Sequence, residues 1–408
     1  MQTVLVTVSG RDRPGLTAAL LESMSATGAD ILDVEQIVLR GHLTLCLLVA
    51  IPTHHVDSTL NAINSAAAAV DVTVMVDRQP AVADPSRHGR ILVTVMGEPL
   101  RPAALAGITA RIAKLGGNID RIERLAGEPL VVLALTVSGA DESALRTALA
   151  AESAAVGLDV AVQRMSLSRR GTHLVVMDVD STLIQDEVIE LIARHAGYEE
   201  SVREVTEAAM RGELDFAESL RARVALLAGV PAERLDDVRA AVRLTPGART
   251  LCRTLKRLGY RIAVVSGGFT QVVEPMAEQL GIDFVLANEL EIIDGVLTGQ
   301  VVGEIVDRAG KAAALQRFAT ACGIPLAQTV AIGDGANDVD MITLAGLGIA
   351  FNAKPALRTA ADTSVNVPYL DTVLHLLGIS REEIDEADAA AHADAAAKFV
   401  PAATLPRA

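Results

Sequence analysis

The stretch Leu174-Val175-Val176-Met177-Asp178-Val179-Asp180-Ser181-Thr182-Leu183 decides how this chain is read. An apolar run of strand type ends in two aspartates that flank one valine. In an extended strand, positions i and i+2 point to the same side. Asp178 and Asp180 would therefore leave a strand end together, with Val179 turned away. Open parallel sheets keep their ligand crevice at the C-terminal edge. Two carboxylates there can bind a hard cation, and one can attack phosphorus while the other moves a proton. On these residues alone, a strand ending in a solvated Asp-rich turn fits as well.

Downstream, three further pieces follow predicted strands or open helices. Ser266-Gly267-Gly268 comes directly after Val264-Val265. A hydroxyl and exposed backbone N–H groups at a strand-to-helix turn form a nest for phosphate oxygens, although a tight turn reads the same way. Lys311 follows Gly310 inside a helical pattern, where a lone lysine is ordinarily a solvated face residue. Gly333-Asp334-Gly335-Ala336-Asn337-Asp338 follows Val330-Ala331-Ile332, and its acids and glycines fit a loop that presents carboxylates to a cation. Short apolar strands are expected at Leu174–Met177, Arg261–Val265, Phe284–Ala287, Thr329–Ile332 and Leu347–Ala350, separated by helical segments. Such strands are buried on both faces, which predicts a parallel, Rossmann-like α/β sheet with helices on each side. The helical insert from about Leu183 to Thr245 is far longer than a usual βα connection and reads as a cap. Glu289–Ile293 and Val296–Thr298 flank Asp294-Gly295 as a hairpin.

Upstream, two related units precede this half. The first has strands at 3–8, Ile31–Leu39, Leu43–Ala50 and Val70–Val76, with helices from Leu16 to about Thr27 and near Val56–Ala69. After a Pro- and Asp-bearing linker, Pro80–Gly89, the order repeats. Strands fall at Ile91–Met96, Ile119–Leu125, Leu130–Ser138 and Gly157–Gln163, with helices at Ala103–Leu115 and near Asp141–Ala151. This β-α-β-β-α-β order is the ferredoxin-like α+β motif, present twice. The expected domains are 1–80, 88–165 and 170–380, with the cap at about 183–245. The end, 381–408, is Ala- and acid-rich with late prolines and reads as a helix fraying into disorder.

Composition bounds the function. The chain has 408 residues, 50% of them hydrophobic, so two to three domains with real cores are expected; aromatics are only 2%, so those cores are aliphatic. A net charge of −15 argues against a nucleic-acid surface. Cys46, Cys252 and Cys322 lie far apart and read as thiols of a reducing compartment. With no secretory leader pattern and no bilayer-length apolar run, the expectation is a soluble cytoplasmic chain.

The four pieces in the C-terminal half resemble the motifs of the haloacid dehalogenase superfamily of phosphohydrolases, over about Thr172 to Asp371. More narrowly, Asp178-Val179-Asp180-Ser181-Thr182, Glu187, the segment Phe216–Gly229 and the segment Gly333–Met341 are similar to phosphoserine phosphatases. The N-terminal units resemble paired ACT domains, most specifically at Asp12-Arg13-Pro14-Gly15. The equivalent loop of the second unit, Gly97-Glu98-Pro99-Leu100-Arg101-Pro102-Ala103, lacks the Pro-Gly step.

The resemblance implies Mg²⁺-dependent hydrolysis of phosphoserine to serine, the last step of serine biosynthesis. Asp178 would be the nucleophile and Asp180 the general acid and base. Asp178, Asp180 through its backbone carbonyl, and Asp334 would hold Mg²⁺. Ser266, Gly267 and Lys311 would hold phosphate oxygens. Asn337 would contact substrate, and Asp338 would orient Lys311. Glu187 and Arg223 in the cap would meet the ammonium and carboxylate of phosphoserine; on residues alone, both also read as surface salt-bridge partners. Asp12 and Gly15 would take serine as an inhibitory effector, and the ACT units would form a homodimer or larger assembly; oligomerisation without an effector is the other reading of these units. Two rival functions stay open: a phosphotransferase that passes the group to another alcohol, and an amino-acid-sensing interaction protein.

Overall fold

The computed structural model describes residues 1–80, 89–166, 171, 173–210 and 215–398. Contacts divide the chain into two compact units, Met1–Pro85 and Ser86–Ala408.

In the first unit, β1 (Gln2–Arg11), α1 (Leu16–Met24), β2 (Asp30–Leu39), β3 (His42–Ile51), α2 (Val56–Ala69) and β4 (Val72–Asp77) follow one another. The strands form an antiparallel sheet in the order β2-β3-β1-β4. Alternation decides the core: Val4, Val6 and Val8 of β1 and Leu43, Leu45, Leu47 and Val49 of β3 pack with Leu16, Leu20, Leu60 and Ile63 of the helices. The edge strand β2 is exposed along its length, and Ile37 and Leu39 remain 62% and 66% accessible in the single chain.

The second unit starts with the same plan. β5 (Ile91–Gly97), α3 (Pro102–Lys114), β6 (Asn118–Ala126), β7 (Val131–Ser138), α4 (Glu142–Val156) and β8 (Asp159–Arg164) give the strand order β6-β7-β5-β8. Its helix-facing core is Ile91, Val93, Val95, Ile108, Ile112, Leu145 and Leu149.

The C-terminal half of the sequence then contributes β9 (Leu174–Met177), β10 (Arg261–Phe269), β11 (Phe284–Ile293), β12 (Val296–Val302), β13 (Thr329–Gly333), β14 (Leu347–Phe351) and β15 (Thr363–Val365). Strands β9, β13 and β14 are short and buried throughout, as expected, and the pairs β11-β10-β9-β13-β14-β15 are parallel. Helices α9 (Ala248–Arg257), α10 (Thr270–Leu280), α11 (Arg308–Cys322), α12 (Val339–Leu344), α13 (Pro355–Ala360), α14 (Val373–Leu376) and α15 (Arg381–Lys398) accompany these strands. The hairpin β11–β12 turns at Asp294-Gly295, both at positive φ.

The two sheets of this unit are one. β15 pairs antiparallel with β8 at Thr363 and Ala161, giving eleven strands in the order β12-β11-β10-β9-β13-β14-β15-β8-β5-β7-β6. Thr363 Oγ1 donates to Val160 O at 3.2 Å, and Asn366 donates from N and Nδ2 to Asp159 at 2.7 and 2.6 Å. Leu92, Met96, Leu125, Val132 and Ala134 of the ferredoxin-like sheet share one core with Val365, Leu370, Val373, Leu374 and Ile384.

The C-terminal segment is helical over Arg381–Lys398, as its pattern suggested. Helix α15 is tied down: Ile384 is buried, and Asp388 accepts from both Arg253 and Arg257 of α9. Ser380 and Glu383 bond reciprocally at its start, a Ser-x-x-Glu device that satisfies end groups of a helix. The α9 arginines that hold Asp388 lie more than a hundred residues away in sequence, so composition alone does not announce that contact. Residues 399–408 lie outside the described residues.

The chain leaves β9 toward β10 and β11 on one side and returns to β13 on the other. The C-terminal end of β9 is thus a switch point, where a crevice opens. Above it stand α5 (Val188–Ala196), α6 (Glu199–Met210), α7 (Phe216–Ala225) and α8 (Arg234–Ala241). Their entry and exit strands meet: Thr245 N donates to Leu183 O at 3.0 Å and Gln185 N to Arg243 O at 2.9 Å.

Candidate active site

A cavity of about 490 Å³ lies at this crevice, between the sheet edge and the cap. Asp178, Asp180, Glu187, Arg223, Gly267, Asp334 and Asn337 all line it.

Asp178 follows β9 directly, and its N–H still joins the ladder through Ile332 O at 2.9 Å. The strand stops there. Asp180 reaches the cavity through a tight turn over Val179–Leu183, not through strand alternation as the spacing had suggested. Ser181 sits at φ 56, a left-handed conformation that is uncommon away from glycine. Two bonds hold it: Ser181 N donates to Asp186 O at 3.3 Å, and Ser181 Oγ donates to Glu187 at 3.1 Å. The turn packs Val179 into the core and leaves both carboxyls toward the same space.

Lys311 is the residue whose setting differs most from its sequence appearance. It is fully buried in the first turn of α11, with Nζ 2.7 Å from Asp178 Oδ1 and 2.7 Å from Asp338 Oδ1. Burial alone would lower its pKa, but the two carboxylates outweigh that and hold the ammonium above its ordinary value. Asp338 spends its other oxygen on Gly335 N at 3.0 Å and Asp334 N at 3.2 Å. It therefore fixes both the lysine and the loop that carries Asp334. That packing leaves no room at Gly333, where a Cβ would meet the Asp338 carboxyl at 2.4 Å.

Asp180 Oδ1 accepts from Val188 N at 2.7 Å, and its Oδ2 accepts from Ser266 Oγ at 3.3 Å. Burial first, then the charge of Glu187, pushes its carboxyl up to about 7. Ser266 Oγ also accepts from Gly268 N at 2.8 Å, so the Ser-Gly-Gly loop is organised around that hydroxyl. Gly267 faces the ring edge of Phe216 from the cap, 3.2 Å from where a Cβ would stand. Glu187 is pushed up by burial, and Arg223, whose Nε donates to Ser219 O at 3.3 Å, is pushed down by it.

Oxygens of Asp178, Asp334 and Asp338 lie within 4.8 Å of one another. Burial, then neighbouring negative charge, drives Asp178 well above the carboxylate range and Asp334 up to about 6. Asp338 is committed to Lys311 and to two backbone N–H groups. Asp178 and Asp334 are hard oxygen donors crowded beyond what one lysine neutralises, which is the donor chemistry a small divalent cation requires.

Two lining or supporting residues escaped the sequence reading. Lys354 lines the cavity, and its N–H donates to Asp334 O at 3.0 Å; nothing in the sequence around it marks that role. Asn288 lies behind the Ser-Gly-Gly loop. In the sequence it shows only as a polar residue directly after the apolar run Phe284–Ala287; its burial and partners come from the fold.

Comparison with known proteins agrees with this geometry. Residues 175–343 match the haloacid dehalogenase-like hydrolase family, and residues 2–77 and 88–163 each match an ACT domain. A phosphoserine phosphatase of Streptomyces coelicolor is 60% identical over 387 residues, which is 95% of this chain and 94% of that protein. One from Mycobacterium tuberculosis is 52% identical over 394 residues, 95% of this chain and 96% of its own. The crystal structure of a probable phosphoserine phosphatase from Vibrio cholerae, unliganded, is 37% identical with a TM-score of 0.57, covering 70% of this chain and 86% of that one.

Proposed function

This chain belongs to the phosphoserine phosphatase family of haloacid dehalogenase-like hydrolases, and we propose that it cleaves O-phospho-L-serine through an aspartyl-phosphate on Asp178. The observation that carries the reading is the buried Asp178–Lys311 pair at 2.7 Å beside Asp180, on the floor of a cavity whose cap supplies Glu187 and Arg223.

A carboxylate oxygen of Asp178 attacks phosphorus while the serine oxygen departs. Asp180, with its carboxyl raised to about 7, keeps a proton near neutral pH and delivers it to that oxygen. The bond between phosphorus and serine oxygen breaks as the bond to Asp178 forms. Asp180, now a carboxylate, takes a proton from water, whose oxygen bonds to phosphorus as the phosphorus–Asp178 bond breaks, releasing phosphate and regenerating the Asp178 carboxylate. Lys311, Ser266 and the Gly267 N–H hold the other phosphate oxygens. Mg²⁺ would be held by Asp178, the Asp180 carbonyl and Asp334, and when bound it neutralises charge between the anionic nucleophile and the phosphate dianion. Glu187 faces the substrate ammonium and Arg223 its carboxylate, for which a guanidinium fork is suited. Asn337 contacts the substrate.

The first ACT unit supplies regulation in this reading. Asp12 and Gly15 lie exposed in the loop before α1, and Gly15 holds φ 86 with open space where a Cβ would stand. Serine bound there inhibits, and the exposed β2 edge pairs copies of the chain. Among the described residues no helix is long and apolar enough to cross a membrane.

The test is phosphate release from phosphoserine and from other phosphorylated amino acids and sugars, with magnesium and with EDTA. Asp178→Asn should reduce turnover by at least about 10³-fold and abolish the beryllofluoride adduct at that residue. Unchanged release would sink the nucleophile assignment. An added acceptor alcohol that captured the phosphoryl group would favour a phosphotransferase.

A further inference from the structure

Strands β10 and β11 run in parallel register up to Val265 opposite Leu286, then resume with Phe269 opposite Asn288. β10 thus advances four residues while β11 advances two. The surplus of two falls in Ser266-Gly267-Gly268, which stands against the single residue Ala287 and has no ladder partners on β11. A backbone carbonyl displaced this way inside a protein needs another donor. Asn288, 1% exposed, supplies it: Nδ2 donates to Gly267 O at 2.8 Å. Its Oδ1 accepts from Val306 N, also at 2.8 Å. These partners fix the orientation of the amide, since Gly267 O can only accept and Val306 N can only donate.

Val306 leads directly into the helix that carries Lys311. Asp307 caps α11 by accepting from Gly310 N at 2.8 Å, and Asp307 O accepts from Lys311 N at 2.9 Å. One buried carboxamide therefore ties the loop that holds one side of the phosphate to the helix start that holds the other. We infer that Asn288 is a positioning residue for phosphoryl transfer, setting the separation between the Gly267 peptide and the Lys311 ammonium. The inference rests on the proposed phosphatase reading, in which both groups hold phosphate oxygens. A carboxamide suits the place because it offers a donor and an acceptor on one rigid plane. A carboxylate would set negative oxygen against the Gly267 carbonyl, and an alkyl group would leave both buried partners unmet.

The experiment compares Asn288→Asp and Asn288→Leu with Val273→Ala, a change in α10 at a buried residue that does not line the cavity, on the full chain with magnesium. For Asn288→Asp at pH 8 the expected loss in kcat/KM is about 10²-fold, the scale of a small misplacement of catalytic groups. Inhibition by inorganic phosphate should weaken with it. Relative to the unmodified chain, activity of Asn288→Asp should recover as pH falls toward 5, because the introduced carboxyl regains a proton to donate. Asn288→Leu should lose activity with no such recovery, and Val273→Ala should lower the melting temperature while sparing KM and phosphate inhibition. Unaltered KM and phosphate inhibition in Asn288→Asp would overturn the inference. So would losses that merely track melting temperature without recovery at low pH. Failure of the unmodified chain to release phosphate from phosphoserine would instead overturn the underlying reading.

Discussion

The two ACT units are built to one plan and put to different structural use. Leu5-Val6-Thr7-Val8-Ser9-Gly10 of β1 and Leu92-Val93-Thr94-Val95-Met96-Gly97 of β5 differ at a single position, serine against methionine. In both, Val6/Val93 and Val8/Val95 face the unit's own helices. The other face separates them. In the first unit Thr7 and Ser9 are only partly covered, whereas Thr94 and Met96 are sealed into the core shared with the catalytic half. Thr94 keeps a hydroxyl with no hydrogen-bond partner among the described residues, while Thr7 Oγ1 lies 3.8 Å from Cys46 Sγ. The fold that keeps this sheet face partly open in the first copy has, in its second copy, become a wall of the catalytic half.

Truncation should break the comparison most visibly. Removing residues 1–85 takes away one compact unit and leaves Ser86–Ala408 folded, with phosphatase turnover intact and any serine response gone. Removing residues 1–166 strips β8 from β15 and uncovers Leu370, Val373 and Leu374, so circular dichroism and gel filtration should report a chain that is unfolded or aggregated. A soluble, fully active product of the longer cut would mean the second unit is as detachable as the first.

Point substitutions sharpen the same contrast. Met96→Ala should cost about 2–5 kcal/mol in denaturant titration of the full chain, the usual range for truncating a buried large side chain. Ser9→Ala should stay within about 0.5 kcal/mol. Thr94→Val keeps the shape and removes a buried, unbonded hydroxyl, so it should stabilise by about 1–3 kcal/mol. Thr7→Val should do nothing comparable. At Gly15, Ala must accept φ 86, at a modest cost of about 1 kcal/mol. That change should nonetheless weaken the calorimetric heat of serine binding, while Glu98→Ala in the second unit's loop leaves it alone. Equal loss from both would erase the functional difference between the copies.

Much of the catalytic geometry was legible because its determinants are local. Apolar strands such as Leu174–Met177 and Thr329–Ile332 end in acid- and glycine-rich loops, and a parallel sheet carries such loops to one edge. Lys311 was not legible as a buried group. Its sequence neighbours are those of any exposed helix, and the carboxylates that neutralise it lie 133 and 27 residues away, at Asp178 and Asp338. Asn288 was overlooked because its two partners, Gly267 and Val306, are backbone groups on segments that nothing local brings together. The three-residue strand β15 carries too little pattern to announce itself, yet it is the seam of the eleven-stranded sheet.

What the amino-acid order determined by itself was the repertoire: two β-α-β-β-α-β repeats, an alternating α/β half with an inserted cap, and paired aspartates after a central strand. Those features follow from side-chain periodicity and turn chemistry over a few residues. Tertiary structure alone decided which surfaces stay open and which polar groups are sealed. Strand pairing between Ala161 and Thr363 closes one ACT sheet onto the catalytic core, and packing around α11 turns an ordinary lysine into the buried cation beside Asp178. Burial and pairing between distant segments are properties of the assembled chain, and no local window of sequence contains them.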